Sequence, residues 1–437
     1  MGGKNKMHNQ KDFDLTIKNI SKIEGHTHLD IKAKDGKVQY CKLKISENKR
    51  FFAQAVQGLS YNLVPTTMSR ICGTCSSAHV LCSIEAIEKA LDLEISEQTF
   101  QLRKLLSYGG HLRDHAMHLY FFCLPDIIGK DSVLDFKGKE KEWIHDGLHI
   151  KEAGNFLSTI IGGRAVHPPN AVIGGFTKFL TNEEIKEAIK KLEECRDDIF
   201  RIIDLFYKDK TSFKRKTNYV ALVNNDYNFL KGYIKTALGI SIFEEQYGEH
   251  LQRVVLPYST ATAFEWESKD YMVGALARMN LNKDNLHTNT IKDTFKYLKI
   301  FPSDCVFDNN LAQAIEMLHE VDSSIEILRE LQDNIKQEIP VQVKLKKSTG
   351  VGVVEAPRGT LYYHFDLNSQ GKITYANLCI PTQQNIIHLE KDIAKYVEQL
   401  LNQKKSKNEI SFEIEKMIRA YDPCMSCATH FLKINWK

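Results

Sequence analysis

Apolar and polar residues alternate with a period of two near the start of the chain. Leu29-Asp30-Ile31-Lys32-Ala33-Lys34 and Lys37-Val38-Gln39-Tyr40-Cys41 flank Asp35-Gly36, a dipeptide suited to the positive φ of a tight hairpin turn. Residues 13–46 therefore predict an antiparallel ribbon, interrupted at Ile23-Glu24-Gly25-His26 by a short polar break that carries a carboxylate. From 51 to about 63 the period becomes helical, with Pro65 as the expected stop. Further helical patterns cover 78–91, 97–123, 182–207, 310–338, 385–401 and 411–421. Ser76 or Ser77 is placed to cap the first of these, and Pro125 and Pro340 are expected to end the second and fourth. Stretches 341–354 and 360–380 read as strands, the second turning at Ser369-Gln370-Gly371-Lys372. Between 210 and 300 the pattern is ambiguous, and short helices fit it best. A Gly/Pro-rich loop region spans 161–176, and 403–408 reads as a polar linker. No internal repeat or low-complexity tract occurs.

The expected fold class is mainly α with peripheral antiparallel β (α+β), in one domain over 1–437. Its parts are an N-terminal ribbon (about 13–50), a helical core (51–338), a β insertion (341–380) and C-terminal helices with a loop (385–430). A chain of 437 residues with 43% hydrophobic and 26% charged residues can bury a large core. The net charge of +4 is spread over many lysines, which gives a nucleic-acid role little support. No stretch is apolar for long enough to cross a bilayer. The start, Met1-Gly2-Gly3-Lys4-Asn5-Lys6, lacks an apolar signal core and has Lys6 where myristoylation needs Ser or Thr. The expectation is a soluble, cytoplasmic chain with its ten cysteines reduced.

Those cysteines carry the chemistry. Cys72-Gly73-Thr74-Cys75 and Cys424-Met425-Ser426-Cys427 are two Cys-x-x-Cys pairs at opposite ends of the chain, and each can turn both sulfurs toward one point. A local zinc knuckle has a spacer of only ~15–20 residues between its pairs, so that form is excluded. Three readings stay open on the residues alone: a structural zinc joining the ends, an iron–sulfur cluster, or redox dithiols. His79 and His430 follow the pairs at matched places, which favours roles beside a metal. Asp114 and His115 are expected partners on their helix, while Asp114 and His118 share a face. Glu24 by default is a solvated carboxylate and Arg358 a surface turn residue. Cys82 and Cys379 lie in apolar runs and read as small core residues.

With these motifs in hand, the chain resembles the large, catalytic subunit of [NiFe] hydrogenases. The resemblance rests on Arg70-Ile71-Cys72-Gly73-Thr74-Cys75-Ser76-Ser77-Ala78-His79 and Asp422-Pro423-Cys424-Met425-Ser426-Cys427-Ala428-Thr429-His430. It extends through Ile23-Glu24-Gly25-His26, Asp114-His115 with His118-Leu119-Tyr120, Gly163-Arg164-Ala165-Val166-His167-Pro168, Glu355-Ala356-Pro357-Arg358-Gly359 and Ile380-Pro381-Thr382. Length and pattern are most similar to the cytoplasmic, bidirectional, sulfhydrogenase-like branch. The resemblance implies the long-helix core of that large subunit, with reversible H2 oxidation as its activity. Cys72 and Cys424 would bind nickel terminally, and Cys75 and Cys427 would bridge it to an iron carrying CO and two cyanides. Cys424 would act as the first base and Glu24 as a proton relay. Arg358 and Asp114 would cover the open site, with Asp422 orienting Arg358. Pro357 and Thr382 would line the diatomic-ligand pocket, and His79 would donate to a bridging sulfur, with His115 close behind.

The resemblance also implies partners: an iron–sulfur small subunit, flavin and NAD(P) subunits, a maturation protease and nickel chaperones. Exported relatives carry their signal on the small subunit, so location depends on partners as well. Two departures stand out. Relatives hold a magnesium with a glutamate where this chain has Ala53, although the Leu378 carbonyl and His430 match the other ligands and Glu47 or Gln54 could stand in. Relatives also often carry a tail that is clipped after the histidine, and here Phe431-Leu432-Lys433-Ile434-Asn435-Trp436-Lys437 follows. Two alternatives remain: a hydrogenase-like subunit without H2 chemistry, and a zinc-stapled structural protein.

Overall fold

The computed structural model describes residues 12–429. Phe13–Ile17, Thr27–Lys34 and Lys37–Ile45 form an antiparallel three-stranded sheet. Asp35 and Gly36 both take positive φ (52° and 77°) at its turn, as a primed hairpin turn requires. Phe13, Leu15, Ile17, Leu29, Ile31 and Ala33 point inward, so the period-two pattern is the buried face of this ribbon.

The Pro381–Asn402 helix packs on the third strand of this sheet, and three long helices, Glu97–Met117, Lys141–Gly162 and Asp308–Leu331, build the centre of the protein. The first begins where the Ser96 side chain accepts the Thr99 N–H (3.0 Å), an ordinary N-cap. It crosses the second at Gly109 and Gly154, where a Cβ on Gly154 would lie 2.8 Å from the Arg113 backbone nitrogen. This approach lets the helices touch through their backbones and sets the height of Arg113 and Asp114. The main apolar core runs from Phe13 to Ala428.

Ser348–Ala356, Gly359–Leu367 and Ile373–Cys379 form a second antiparallel sheet. It lies on the Ser76–Ala90 helix so closely that a Cβ on Gly352 would sit 2.3 Å from the Cys82 carbonyl oxygen. The Pro381–Asn402 and Lys407–Ala420 helices then return the chain to the short Met425–Ala428 helix. Ser406 caps the Lys407–Ala420 helix in a reciprocal box with Glu409.

Several expectations need correction. The segment read as short helices between 210 and 300 begins with strands: Val220–Val223, Tyr233–Thr236, Ser241–Ile242, Leu251–Val255 and Thr262–Trp266. They are two to five residues long, and a buried run as short as Val220-Ala221-Leu222-Val223 fits either period. Pro65 does not end a helix; residues 51–63 hold only the short Phe52–Ala55 helix and a 3-10 turn, and Pro65 opens the Val64–Ser69 helix, where its missing N–H costs nothing. Pro125 is likewise in the first turn of Leu124–Ile128. The chain reaches it through a π-helical segment, His118–Cys123, whose wider turns relieve the clash of a proline ring with the carbonyl four residues back. The expected helix over 182–207 is two, Asn182–Glu194 and Arg196–Lys208, divided at Cys195. The helix expected to reach 338 ends at Leu331, before Asp333 takes a positive φ of 62°, so Pro340 stops nothing. Neither Ser76 nor Ser77 caps the Ser76–Ala90 helix; Cys75 is its N-cap residue, with no side-chain cap bond.

Gly352→Ala is expected to lower stability by ~1–3 kcal/mol, because the obstructing atoms are backbone and cannot swing aside. Gly248→Ala, at a position open to solvent, should move stability by less than ~0.5 kcal/mol. Thermal unfolding of the two variants side by side checks both.

Candidate metal centre

The Val64–Ser69 helix ends just before Cys72, and Cys75 starts the Ser76–Ala90 helix. At the other end of the chain Cys424 forms a parallel bridge with Glu24, in which the Met425 N–H donates to the Glu24 carbonyl (2.9 Å). Those two placements bring all four sulfurs within 4.8 Å of one another, buried. Cys72 and Cys424 sulfurs are 3.5 Å apart, Cys75 and Cys427 sulfurs 3.2 Å, and those of Cys424 and Cys427 touch. Hydrogen bonding from Cys75 brings the Cys72 thiol down to about 7, against burial and the Glu24 charge. The same contact, together with burial, pushes the Cys75 thiol up.

Two guanidinium groups hold the loops in place. Arg50 donates to the Ile71 carbonyl (2.6 Å) and to the Ser426 carbonyl, so one side chain ties together the residues that precede Cys72 and Cys427. Arg113 donates to the carbonyls of Thr74 and Ala165. Gln383 adds a bond to the Ala428 carbonyl (3.0 Å).

Above the sulfurs lies Arg358. It donates to Asp114 (2.7 and 3.3 Å) and to Asp422 (2.8 Å), all three buried. Burial raises the Asp114 carboxyl, and the Arg358 charge and hydrogen bonds more than reverse that, leaving its pKa below the usual carboxylate value. A small cavity of about 10 Å³ lies between Arg358, Cys75, Cys424 and Cys427, walled by Ala356, Leu361, Ile380, Pro381 and Thr382. Arg358 Nε has no partner among the described residues. The Thr382 Oγ accepts the Cys424 N–H (3.0 Å), which leaves the hydroxyl proton free. Four soft sulfurs, a small mostly apolar cavity and unspent donors are a donor set that fits a thiolate-bound metal pair carrying small ligands.

The remaining expected residues fall as follows. Glu24 is half-buried; its Oε2 lies 3.1 Å from the Cys424 sulfur and accepts the Ser426 N–H (3.0 Å). His79 Nε2 lies 3.8 Å from the Cys427 sulfur and its Nδ1 2.5 Å from the Tyr363 hydroxyl. Burial, then the Arg50 charge, lowers the His79 pKa to about 3, so the ring is neutral. With the Tyr363 O–H donating to Nδ1, Nε2–H faces the sulfur. Pro357 is buried with its carbonyl accepting from Arg278 (3.1 Å), and the cavity wall beside it is Ala356 and Pro381. His115 is not the partner of Asp114. Its Nε2 lies 3.1 Å from Glu316, because neighbours in sequence on a helix point about 100° apart.

The magnesium expected near the tail does not fit these residues. Ala53 is buried and offers only a methyl group. The Leu378 carbonyl accepts from Arg253 Nη2 (3.3 Å), which also donates to Asn377 (2.6 Å), and a guanidinium there repels a divalent cation. Glu47 is engaged by the His26 N–H (2.8 Å) and Gln54 is exposed. His430 and the tail after it lie outside the described residues.

Sequence reasoning missed Arg50, Arg113, Arg278, Glu316 and Tyr363. Arg278 pairs with Glu316 (2.7 Å) and Glu355 (2.8 Å) and donates to the Ala356 carbonyl (3.0 Å), fixing the segment that presents Arg358. One signal was available: Glu316 and Glu320 lie four residues apart, with Ile315, Met317, Leu318 and Val321 beside them in the sequence, a costly arrangement without partners.

A family model described as nickel-dependent hydrogenase matches residues 52–145 and 236–430. Sulfhydrogenase 1 subunit alpha of Pyrococcus furiosus is 31% identical over 425 residues, covering 96% of this chain and 98% of that one. Sulfhydrogenase 2 subunit alpha of the same organism is 29% identical, covering 96% and 100%. The NAD-reducing hydrogenase HoxS subunit beta of Cupriavidus necator is 27% identical, covering 96% and 95%. Among solved structures, an NAD+-reducing nickel–iron hydrogenase in its H2-reduced state superposes with a TM-score of 0.83 at 25% identity, over 96% of this chain and 99% of that one. Four converging cysteines at the two ends of one chain, in a fold shared along nearly its whole length, place this chain in the nickel-dependent hydrogenase family as a large subunit.

Proposed function

We propose that this chain catalyses the reversible oxidation of H2 to protons and electrons at a nickel–iron centre held by Cys72, Cys75, Cys424 and Cys427. The observation that carries this reading is the buried four-sulfur cluster beneath Arg358. When bound, the nickel and the iron with its CO and two cyanides polarise dihydrogen and take up its electrons. A tetrahedral zinc staple, by contrast, has no use for a charged cover or an adjoining cavity.

The protein's own groups handle the proton. The Cys424 sulfur lines the cavity as a base, and Glu24 Oε2, 3.1 Å away, takes the proton onward. Glu24 is half-buried, so it connects a dry cavity to a wetter surface, which is what a relay requires. The Ser426 N–H on Glu24 Oε2 keeps that oxygen beside the sulfur. Arg358 and Thr382 offer an N–H and an O–H to the cavity, two donors for two cyanides, while Ala356, Leu361 and Pro381 exclude water from the rest. His79, held neutral, gives its Nε2–H to the Cys427 sulfur and moderates the charge there.

Electrons leave through a partner. Apart from the four cluster residues, the described cysteines lie singly: Cys82 against the Gly352 and Leu361 carbonyls, Cys195 against Leu192, Cys123 beside His118. An iron–sulfur small subunit supplies the relay, with flavin and NAD(P) subunits as the onward acceptors; the NAD-reducing relatives support the NAD part of that reading. Maturation factors for nickel insertion and a cytoplasmic location belong to the same reading.

Elemental analysis of the purified complex should find about one nickel and one iron per large subunit, and infrared spectra should show CO and cyanide bands. Zinc alone, with no such bands, overturns the proposal. Cys424→Ser should lose both nickel and H2 turnover. Glu24→Gln should retain metal and slow H2/D2O exchange by ~100-fold, the usual weight of a positioned acid–base group; full exchange activity in that variant removes Glu24 from the proton route. Arg358→Lys should lower kcat ~100-fold with nickel and iron contents unchanged, since an ammonium cannot reproduce the planar fork on Asp114 and Asp422.

A further inference from the structure

His118 plays no part in the chemistry above, yet it is buried beside the Arg358 cover. Its surroundings fix its protons. Gln313 Nε2 lies 3.0 Å from Asp422 Oδ2; a carboxylate bound to a guanidinium can only accept, so the NH2 end of Gln313 faces it. The opposite end, Gln313 Oε1, therefore faces His118, 2.5 Å from Nδ1. An amide oxygen can only accept, so Nδ1 carries a proton. The other ring nitrogen, Nε2, lies 2.7 Å from the Arg419 carbonyl, again an acceptor only, so Nε2 carries one as well. Cys123 sulfur is 3.2 Å from the same nitrogen, and its own S–H has Asn310 Oδ1 to reach, at 3.6 Å. Two acceptors on two nitrogens leave no neutral tautomer that satisfies the site.

We propose that His118 is a permanently charged imidazolium that positions the Arg358 cover: through Gln313 it holds Asp422, and Asp422 in turn holds Arg358 over the cavity. The proposal rests on the function assigned above and adds a residue to it.

Opposite charges then alternate beside this ring. Asp422 lies between Arg358 and His118, and Asp114 between Arg358 and the neighbouring Arg113, all buried. The nearest other ionised side chain on the C-terminal helix, Arg419, is taken by Asp126 and Glu415. Without the imidazolium, Asp422 would have only its share of the Arg358 guanidinium to offset its burial cost. Burial opposes the charge on His118, but Asp422 and Cys123 outweigh it and raise its pKa to about 10. The sign follows. The folded value lies above the ~6.5 of a free histidine, so the stability this ring lends is complete below pH ~6.5 and is lost as pH rises through about 10. The bond to the Arg419 carbonyl also pins the last turn of the Lys407–Ala420 helix, from which the chain bends at Asp422 (φ 50°) into the cysteine loop.

Neutron crystallography of the holoenzyme at pH 8 decides the proton count directly. Deuterium on both Nδ1 and Nε2 of His118 is expected, and deuterium on one nitrogen alone overturns the proposal whatever the enzyme's activity. His118→Gln in the complex should keep nickel and iron, lower kcat by ~10-fold or more, leave KM for H2 unchanged, and shift the cyanide infrared bands as Arg358 relaxes. A variant with wild-type kcat and unshifted bands also overturns it. If the wild-type complex showed no H2 turnover, the functional reading would fail separately, with the protonation result still standing.

Discussion

The rest of the molecule depends on one closure: residues 72–75 and 424–427 must meet, and their sulfurs must be held together where water cannot help. Thiolates crowded in a dry interior repel one another, so the fold supplies compensation from several directions. The Glu24–Cys424 bridge sets the height of the final loop. Arg50 and Arg113 grip the carbonyls that alternate with the cysteines. The glycines of the Ser348–Ala356 strand let the second sheet press directly on the helix that begins at Cys75. Each contact is modest alone; together they define one position for four sulfurs.

Charge burial around this closure is too dense to be explained by stability. Arg358, Asp114, Asp422, Arg278, Glu316, Glu355 and His118 are all sequestered from solvent, and buried ion pairs contribute little net stability once their desolvation is counted. Their value is in holding a guanidinium at a fixed point over a cavity. Arg278 works from behind, holding the backbone at Ala356 and Pro357, while Asp114 and Asp422 work from the flanks. The result is a fixed electrostatic environment that needs no rearrangement when charge develops beneath it.

The two cysteine pairs, the Asp35-Gly36 turn and the long helices were legible because each is a strong local signal: a spacing, a dipeptide, a sustained period. The prolines were legible as punctuation but were given the wrong sense. Pro65 and Pro125 were expected as stops, yet they and Pro381 all sit in first turns, where the absent N–H has no partner to lose. The strands between 220 and 266 were too short for periodicity to register. Arg50, Arg113 and Arg278 were hidden for a different reason. Their acceptors are backbone carbonyls or side chains far away in sequence, and nothing local marks an arginine that will be buried. The orientation of His115 away from Asp114 was available from helix geometry and was missed by treating neighbours in sequence as neighbours in space.

Arg50 has a consequence for the order of events during biogenesis. A single guanidinium nitrogen, Nη2, makes both of its bonds, and one acceptor is the carbonyl of Ile71, in the amino-terminal part of the chain. The second acceptor of that nitrogen is the carbonyl of Ser426, which arrives only when the chain is almost finished. The latch therefore cannot shut on a partial chain, and once shut it seals the four sulfurs inside the protein. Before that moment nothing from Arg50 ties the 424–427 loop to the 72–75 loop. A side chain bonded to none of the four sulfurs thus makes the enclosure of the site wait for the last residues of the chain.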